Sequence, residues 1–179
     1  MFDHLDLARD THDRAALGAS RIFRASGVRF PAGRDGRAAA RAMAADLRGA
    51  APGPVVLMIH RNLDRALEVF PGAPVIHLLR DPRDVARSSI GMGWAGNVYH
   101  GLGPWLDTER GWDRVAPRLA AGQALEMQYE ALIRAPEREL ARAAAHLGEA
   151  FDPAMLTYDA HTTYAAPDPA LGEQWRRRL

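Results

Sequence analysis

The sequence contains no cysteine and no lysine; all 23 of its basic residues are arginine. Without cysteine there are no disulfides, no thiolate metal sites and no cysteine nucleophile. Without lysine, Schiff-base chemistry and any mechanism resting on a mobile ammonium group are excluded. Long apolar runs are missing as well: the longest are of strand length, far below the roughly 20 residues a membrane-spanning helix needs. The opening "MFDHLDLARD" is charged and has no apolar core of the signal-peptide type. Charge of one sign is also lacking, because 22 acids are interspersed with the arginines to leave a net charge of +1. No broad basic face of the kind nucleic acid requires is expected. The 7 histidines show no metal-ligand spacing with nearby carboxylates. A cytoplasmic protein without metal, nucleic-acid or membrane partner is the resulting expectation. Arginine in place of lysine, beside 34 alanines, has the look of a GC-rich coding bias rather than a designed basic surface.

With 47% hydrophobic and 25% charged residues, the 179-residue chain has the composition of a globular domain. Its length suits a single domain over 1–179 with a core of its own. The alanine-rich stretch 34–50 predicts a helix with Met43 and Leu47 on one side, and "APGP" ends it. "VVLMI" (55–59) and "VIHLL" (75–79) have the length and β-branched content of buried strands, and "NLDRALEVF" (62–70) between them has helical spacing. Strand, helix, strand within about thirty residues is the βαβ unit of a parallel sheet. Helices are predicted over 82–90, 104–119 and 135–148, a third strand over 124–129, and a last helix in "LGEQWRRRL". The glycine-rich "GMGWAGNVYHGLG" (91–103) reads as a flexible aromatic loop, either a plain connection or one that lines an acceptor pocket. His77, inside "VIHLL", reads as a core histidine, and Trp94, Trp105 and Trp112 as core or pocket wall.

The second strand runs into "RDPRD" (80–84). Asp81 is suited to cap the next helix, Pro82 to its first position, and Asp84 to the third position of a capping-box-like pair. Amides at such a helix start lie at the C-terminal end of the strand, where α/β sheets bind anionic ligands. Arg80 adds a planar cationic fork matched to phosphate oxygens. Ser88 follows two turns along on the face of Asp84. Arg80 and Arg83 in this setting are equally compatible with plain solvation or pairing to acids.

"HLLRDPRDVARSS" resembles the 3′-phosphate-binding motif of sulfotransferases that use PAPS (3′-phosphoadenosine-5′-phosphosulfate). The resemblance implies that Arg80 and Ser88 hold the 3′-phosphate of the nucleotide. "EMQYEALIRAPERELARAAAHLG" is similar to the family segment in which a strand ends in Tyr-Glu before a proline and a helix, and it implies that Tyr129 borders the adenine. "HTTYAAPDPALGEQWRRRL" resembles the C-terminal loop and Trp-basic helix of bacterial relatives, with Thr163 or a nearby arginine as a donor to the same phosphate. In "LMIHRN", His60 takes the place of the family's histidine base, while Met58 stands where a lysine would be. The resemblance covers about 55–179 and implies a three-layer α/β fold with a parallel sheet, similar to P-loop nucleotide-binding domains.

The family's glycine-rich 5′-phosphosulfate loop of the Arg-Ser-Gly-Thr type has no counterpart here. "GASRIFRASG" (18–27) comes nearest, without a preceding apolar strand or the loop spacing. No Gly-Lys-Ser/Thr loop of a nucleotide kinase exists either. Two readings follow. One is a sulfotransferase acting on a hydroxyl or amine of a small-molecule or carbohydrate acceptor, with the domain incomplete at its N-terminus. The other is a non-catalytic protein that keeps only a site for PAPS or its product PAP (3′-phosphoadenosine-5′-phosphate). An exposed sheet edge, and with it a homo-oligomer, is expected from an incomplete sheet.

Overall fold

In this computed structural model, residues 1–49, 53–161, 168 and 172–176 are described. They form two compact units, Met1–Ala73 and Pro74–Leu179.

The first unit opens on a small antiparallel hairpin of β1 (Leu5–Asp6) and β2 (Thr11–His12), with Leu5 opposite His12. Helices α1 (Arg14–Ala19) and α2 (Arg21–Ala25) start on Asp13 and Ser20, whose side chains accept from the backbone N–H of the third helical residue, Ala16 and Phe23 respectively. Helix α3 (Gly36–Arg48) starts on Asp35, and α4 (Leu63–Val69) follows. Asp35 ties the unit together: its Oδ1 accepts from the N–H groups of Gly36 at 2.9 Å and His12 at 2.7 Å. Gly36 has φ +52°, and a Cβ there would come within 2.1 Å of the Asp10 carbonyl oxygen, so only glycine fits.

The α3 sequence makes a narrow apolar face of small residues. Ala39, Ala40, Met43 and Ala44 are buried, whereas Leu47 is exposed rather than sharing the Met43 side. Leu57 and Ile59 pack on the cluster of Phe2, Leu5, Ala40, Ala66 and Val69, while Val56 and Met58 face outward. The run 55–59, expected as a buried strand, is therefore half-buried with a period of two. It pairs with no strand among the described residues, because its apolar contacts come from this helical cluster.

The second unit is built on two parallel strands, β3 (Val75–Leu79) and β4 (Ala124–Gln128), in the register Val75 to Ala124 through Leu79 to Gln128. The crossover between them consists of α5 (Pro82–Gly91) and α6 (Val98–Val115), which pack on each other. Gly101 of α6 makes the close approach, where a Cβ would lie 2.9 Å from both the Cα and the carbonyl oxygen of Ala86 on α5. Helix α6 begins earlier than its sequence suggests. Asn97 caps it by accepting from the His100 N–H at 2.9 Å, and Pro104 lies inside it. The expected loop 91–103 thus shrinks to 92–97, with Trp94 on the surface at 76% exposure.

Beyond β4 come α7 (Tyr129–Arg134) and α8 (Pro136–His146), where the sequence predicted one helix from 135. The residue before the proline, Ala135, is pushed to φ −140° and breaks the two apart. His77 is the partnered core histidine expected. It stacks on Trp112 with ring centroids 4.2 Å apart, and its Nε2 lies 3.1 Å from the Glu109 carboxylate. His146 closes the unit by donating from Nε2 to the Val75 carbonyl at 3.1 Å. No described helix is long and apolar enough to cross a membrane. The fold is mixed α/β with a parallel sheet.

Candidate functional site

The two parallel strands end level, Leu79 beside Gln128. The next residue of each, Arg80 and Tyr129, therefore emerges on the same row. The half-buried Arg80 guanidinium lies over the Tyr129 ring, 4.4 Å from its centroid. This is a cation–π contact.

A cleft of about 610 Å³ opens there, lined by Leu79, Arg80, Pro82, Trp105, Gln128 and Arg134, with Asp81, Glu130, Ala131 and Glu173 completing it. It sits at the C-terminal ends of parallel strands, where the α/β architecture places ligands. Its volume is that of a small-molecule site. Arg80 and Arg134 supply permanent positive charge.

The strand-to-helix turn is ordered by its own acids. The Asp81 side chain accepts the Arg83 N–H at 2.9 Å and pairs with the Arg83 guanidinium, which lowers the Asp81 carboxyl below the ordinary aspartate range. Arg83 is thereby taken up by Asp81, and it also lies 3.4 Å from the centroid of the Trp175 ring. The capping-box pair read from the sequence does not form. Asp84 is instead buried at 1% exposure and accepts the backbone N–H of Trp175 at 2.9 Å, tying 172–176 to the start of α5.

Of the residues singled out from sequence, the structure brings Arg80 and Tyr129 into contact. Ser88 lies half-buried two turns along α5, in line with Asp84. His60 belongs to the first unit and is exposed there. Thr163 lies outside the described residues. Sequence reasoning missed Glu130, Arg134 and the role of Trp105. Glu130 was within reach, since it adjoins Tyr129 at the end of β4; the part played by Trp105 depends on how α6 crosses the sheet, and no spacing announces that.

The family model described as the sulfotransferase family matches residues 56–153, more than half of the chain. The chain belongs to the sulfotransferase family.

Among solved structures, it is similar to the sulfotransferase domain from the Synechococcus PCC 7002 olefin synthase, at 25% identity and a TM-score of 0.57, over 65% of this chain and 46% of that one. It also shares the fold of the sulfotransferase domain from the curacin biosynthetic pathway, at 18% identity and a TM-score of 0.57, over 80% of this chain and 62% of that one. The chain thus spans less than two thirds of the length of either sulfotransferase domain. No curated protein matches it. Both the strand-to-helix turn at 80–84 and the Tyr129–Glu130 junction fall inside the segment that the sulfotransferase family model matches.

Proposed function

We propose that the cleft at the ends of β3 and β4 binds PAPS and PAP, and that the protein is sulfotransferase-like, built for sulfuryl transfer from PAPS to a hydroxyl or amine acceptor but with little turnover expected while a 5′-phosphosulfate loop is missing from the sequence. The observation that carries this reading is the Arg80 guanidinium, which lines the cleft and lies over the Tyr129 ring, in a chain of the sulfotransferase family. Arg80 is the anion-binding fork for the 3′-phosphate. The Ser88 hydroxyl donates to the same group, and the Tyr129 ring borders the base. The cleft has the size of a nucleotide site, and Arg80 and Arg134 supply two guanidinium forks for phosphate oxygens beside the acids Asp81, Glu130 and Glu173 of the same lining.

PAPS supplies the activated sulfuryl group. In the transfer its sulfur–oxygen bond to the phosphate breaks, a new one forms to the acceptor oxygen or nitrogen, and the acceptor proton must leave. His60, at the end of the 55–59 run, is the proposed base for that proton on sequence grounds. Such a reaction depends mainly on positioning and charge neutralisation, as phosphoryl transfer does.

Calorimetric titration with PAP is the test. The wild-type chain should bind, and Arg80→Ala should weaken binding by roughly tenfold or more, the size expected for losing a charge-assisted bidentate contact. Absence of binding, or binding indifferent to Arg80→Ala, would sink the assignment. A second reading, a non-catalytic PAP-binding protein, is favoured by the lack of an Arg-Ser-Gly-Thr loop anywhere in the sequence.

A further inference from the structure

An acid lining a cleft meant for phosphate needs an explanation, because a carboxylate repels the ligand. Glu130 is such an acid. Its Oε1 accepts the backbone N–H of Asp81 at 3.0 Å, across 49 positions of sequence. The other end of the same peptide unit is also held: the Arg80 carbonyl accepts the indole N–H of Trp105 at 3.1 Å. The peptide linking Arg80 to Asp81 is therefore gripped on both sides, by α7 through Glu130 and by α6 through Trp105.

A peptide plane held at both its N–H and its C=O resists rotation, since turning it breaks both hydrogen bonds. Rotation of that plane is the motion that would swing the end of β3 and redirect the Arg80 side chain. Both grips come from the elements that form the cleft walls, so they fix Arg80 relative to the cleft.

We infer that Glu130 and Trp105 are positioning residues that lock the Arg80–Asp81 peptide and so aim Arg80 at the anionic group of the ligand. This rests on the reading of the cleft as a PAP site. It goes beyond that reading by giving two residues outside the arginine-to-serine motif a part in affinity. Glu130 acts through its acceptor oxygen, not its charge. Trp105 acts through its N–H, not only its ring.

The substitutions separate these properties. Glu130→Gln keeps an acceptor oxygen and removes the charge; Glu130→Ala removes both. Trp105→Phe keeps most of the ring and removes the donor. In calorimetric titration with PAP, Glu130→Ala is expected to weaken binding about tenfold, a hydrogen bond to a charged group being worth roughly that factor. Glu130→Gln should bind at least as tightly as wild type. Trp105→Phe should lose a few-fold, and the double variant less than the product of the two, since both act on one peptide. Equal melting temperatures for wild type and Glu130→Gln, with a folded melting transition for Glu130→Ala, would keep affinity and stability apart.

Glu130→Ala binding PAP as tightly as wild type, or more tightly, would overturn the proposal, since that is what simple charge removal gives. Hydrogen exchange at the Asp81 amide supplies a readout that needs no ligand. It should be protected in wild type and Glu130→Gln and exposed in Glu130→Ala. If wild type fails to bind PAP, the nucleotide reading falls. The Asp81 amide then still decides whether Glu130 holds the turn, and equal protection in all three proteins would overturn that too.

Discussion

His12 shows what one buried side chain does to the pH response of this protein. It is 7% exposed, with the edge of the Phe30 ring against it and Asp35 at 3.6 Å from Nδ1. Burial lowers its pKa below the ordinary histidine value, and the partly opposing pull of Asp35 does not cancel that. A histidine held neutral in the folded state and free to protonate when unfolded makes the unfolded chain bind more protons. Its contribution is therefore present above a pH of about 6.5, the unfolded value, and is lost progressively as pH falls from there towards the lower folded value. The urea unfolding midpoint should decline over that range before any carboxylate titrates. His12→Gln should flatten that slope; an unchanged slope would assign it to other groups.

Two glycines of α6 separate conformational cost from packing need. At Gly111 a Cβ would meet only the end of the Arg114 side chain, at 3.9 Å, an ordinary contact, so Gly111→Ala should stabilise by about 0.5–1 kcal/mol, the helix-interior penalty of glycine. Gly101 abuts the Ala86 backbone at 2.9 Å. There Gly101→Ala should destabilise by about 1–3 kcal/mol, because α5 and α6 must move apart. Thermal unfolding of the two variants should shift in opposite directions.

At this scale the chain was largely readable, and its errors have physical causes. The strands at 75–79 and 124–128 and the helix starting at Pro82 follow from an apolar run, a proline and a capping aspartate. The start of α6 was missed because Asn97 caps a glycine-rich stretch that has almost no helical propensity of its own. The pairing of 55–59 was misread because periodicity reports which faces are apolar, not what covers them. The arginine of the site was legible from its strand-end position. The hydrogen bonds that Glu130 and Trp105 make to the Arg80–Asp81 peptide were not, since they lie where distant elements meet.

For the whole molecule, the family match begins at residue 56 in the first unit and continues through most of the second. The 3′-phosphate half of a sulfotransferase site has candidate residues here, and the 5′-phosphosulfate half has no matching loop in the sequence. The 179-residue chain should accordingly bind PAP while transferring little or no sulfate from PAPS in a radiolabel assay. Rapid turnover by this chain would reject the non-catalytic reading.

The level ending of β3 and β4 has a consequence for which changes of chain length the protein tolerates. Everything between the two strands is a detour: α5, the 92–97 loop and α6 leave one strand end and return to the start of the other. Residues added to or removed from the 92–97 loop leave the row on which Arg80 and Tyr129 meet intact. One residue inserted into either strand moves the whole row by one place, separates the guanidinium from the ring, and turns inward faces outward. Among natural variants of this sequence, length differences should therefore collect in the crossover loop, while the two five-residue strands keep their count.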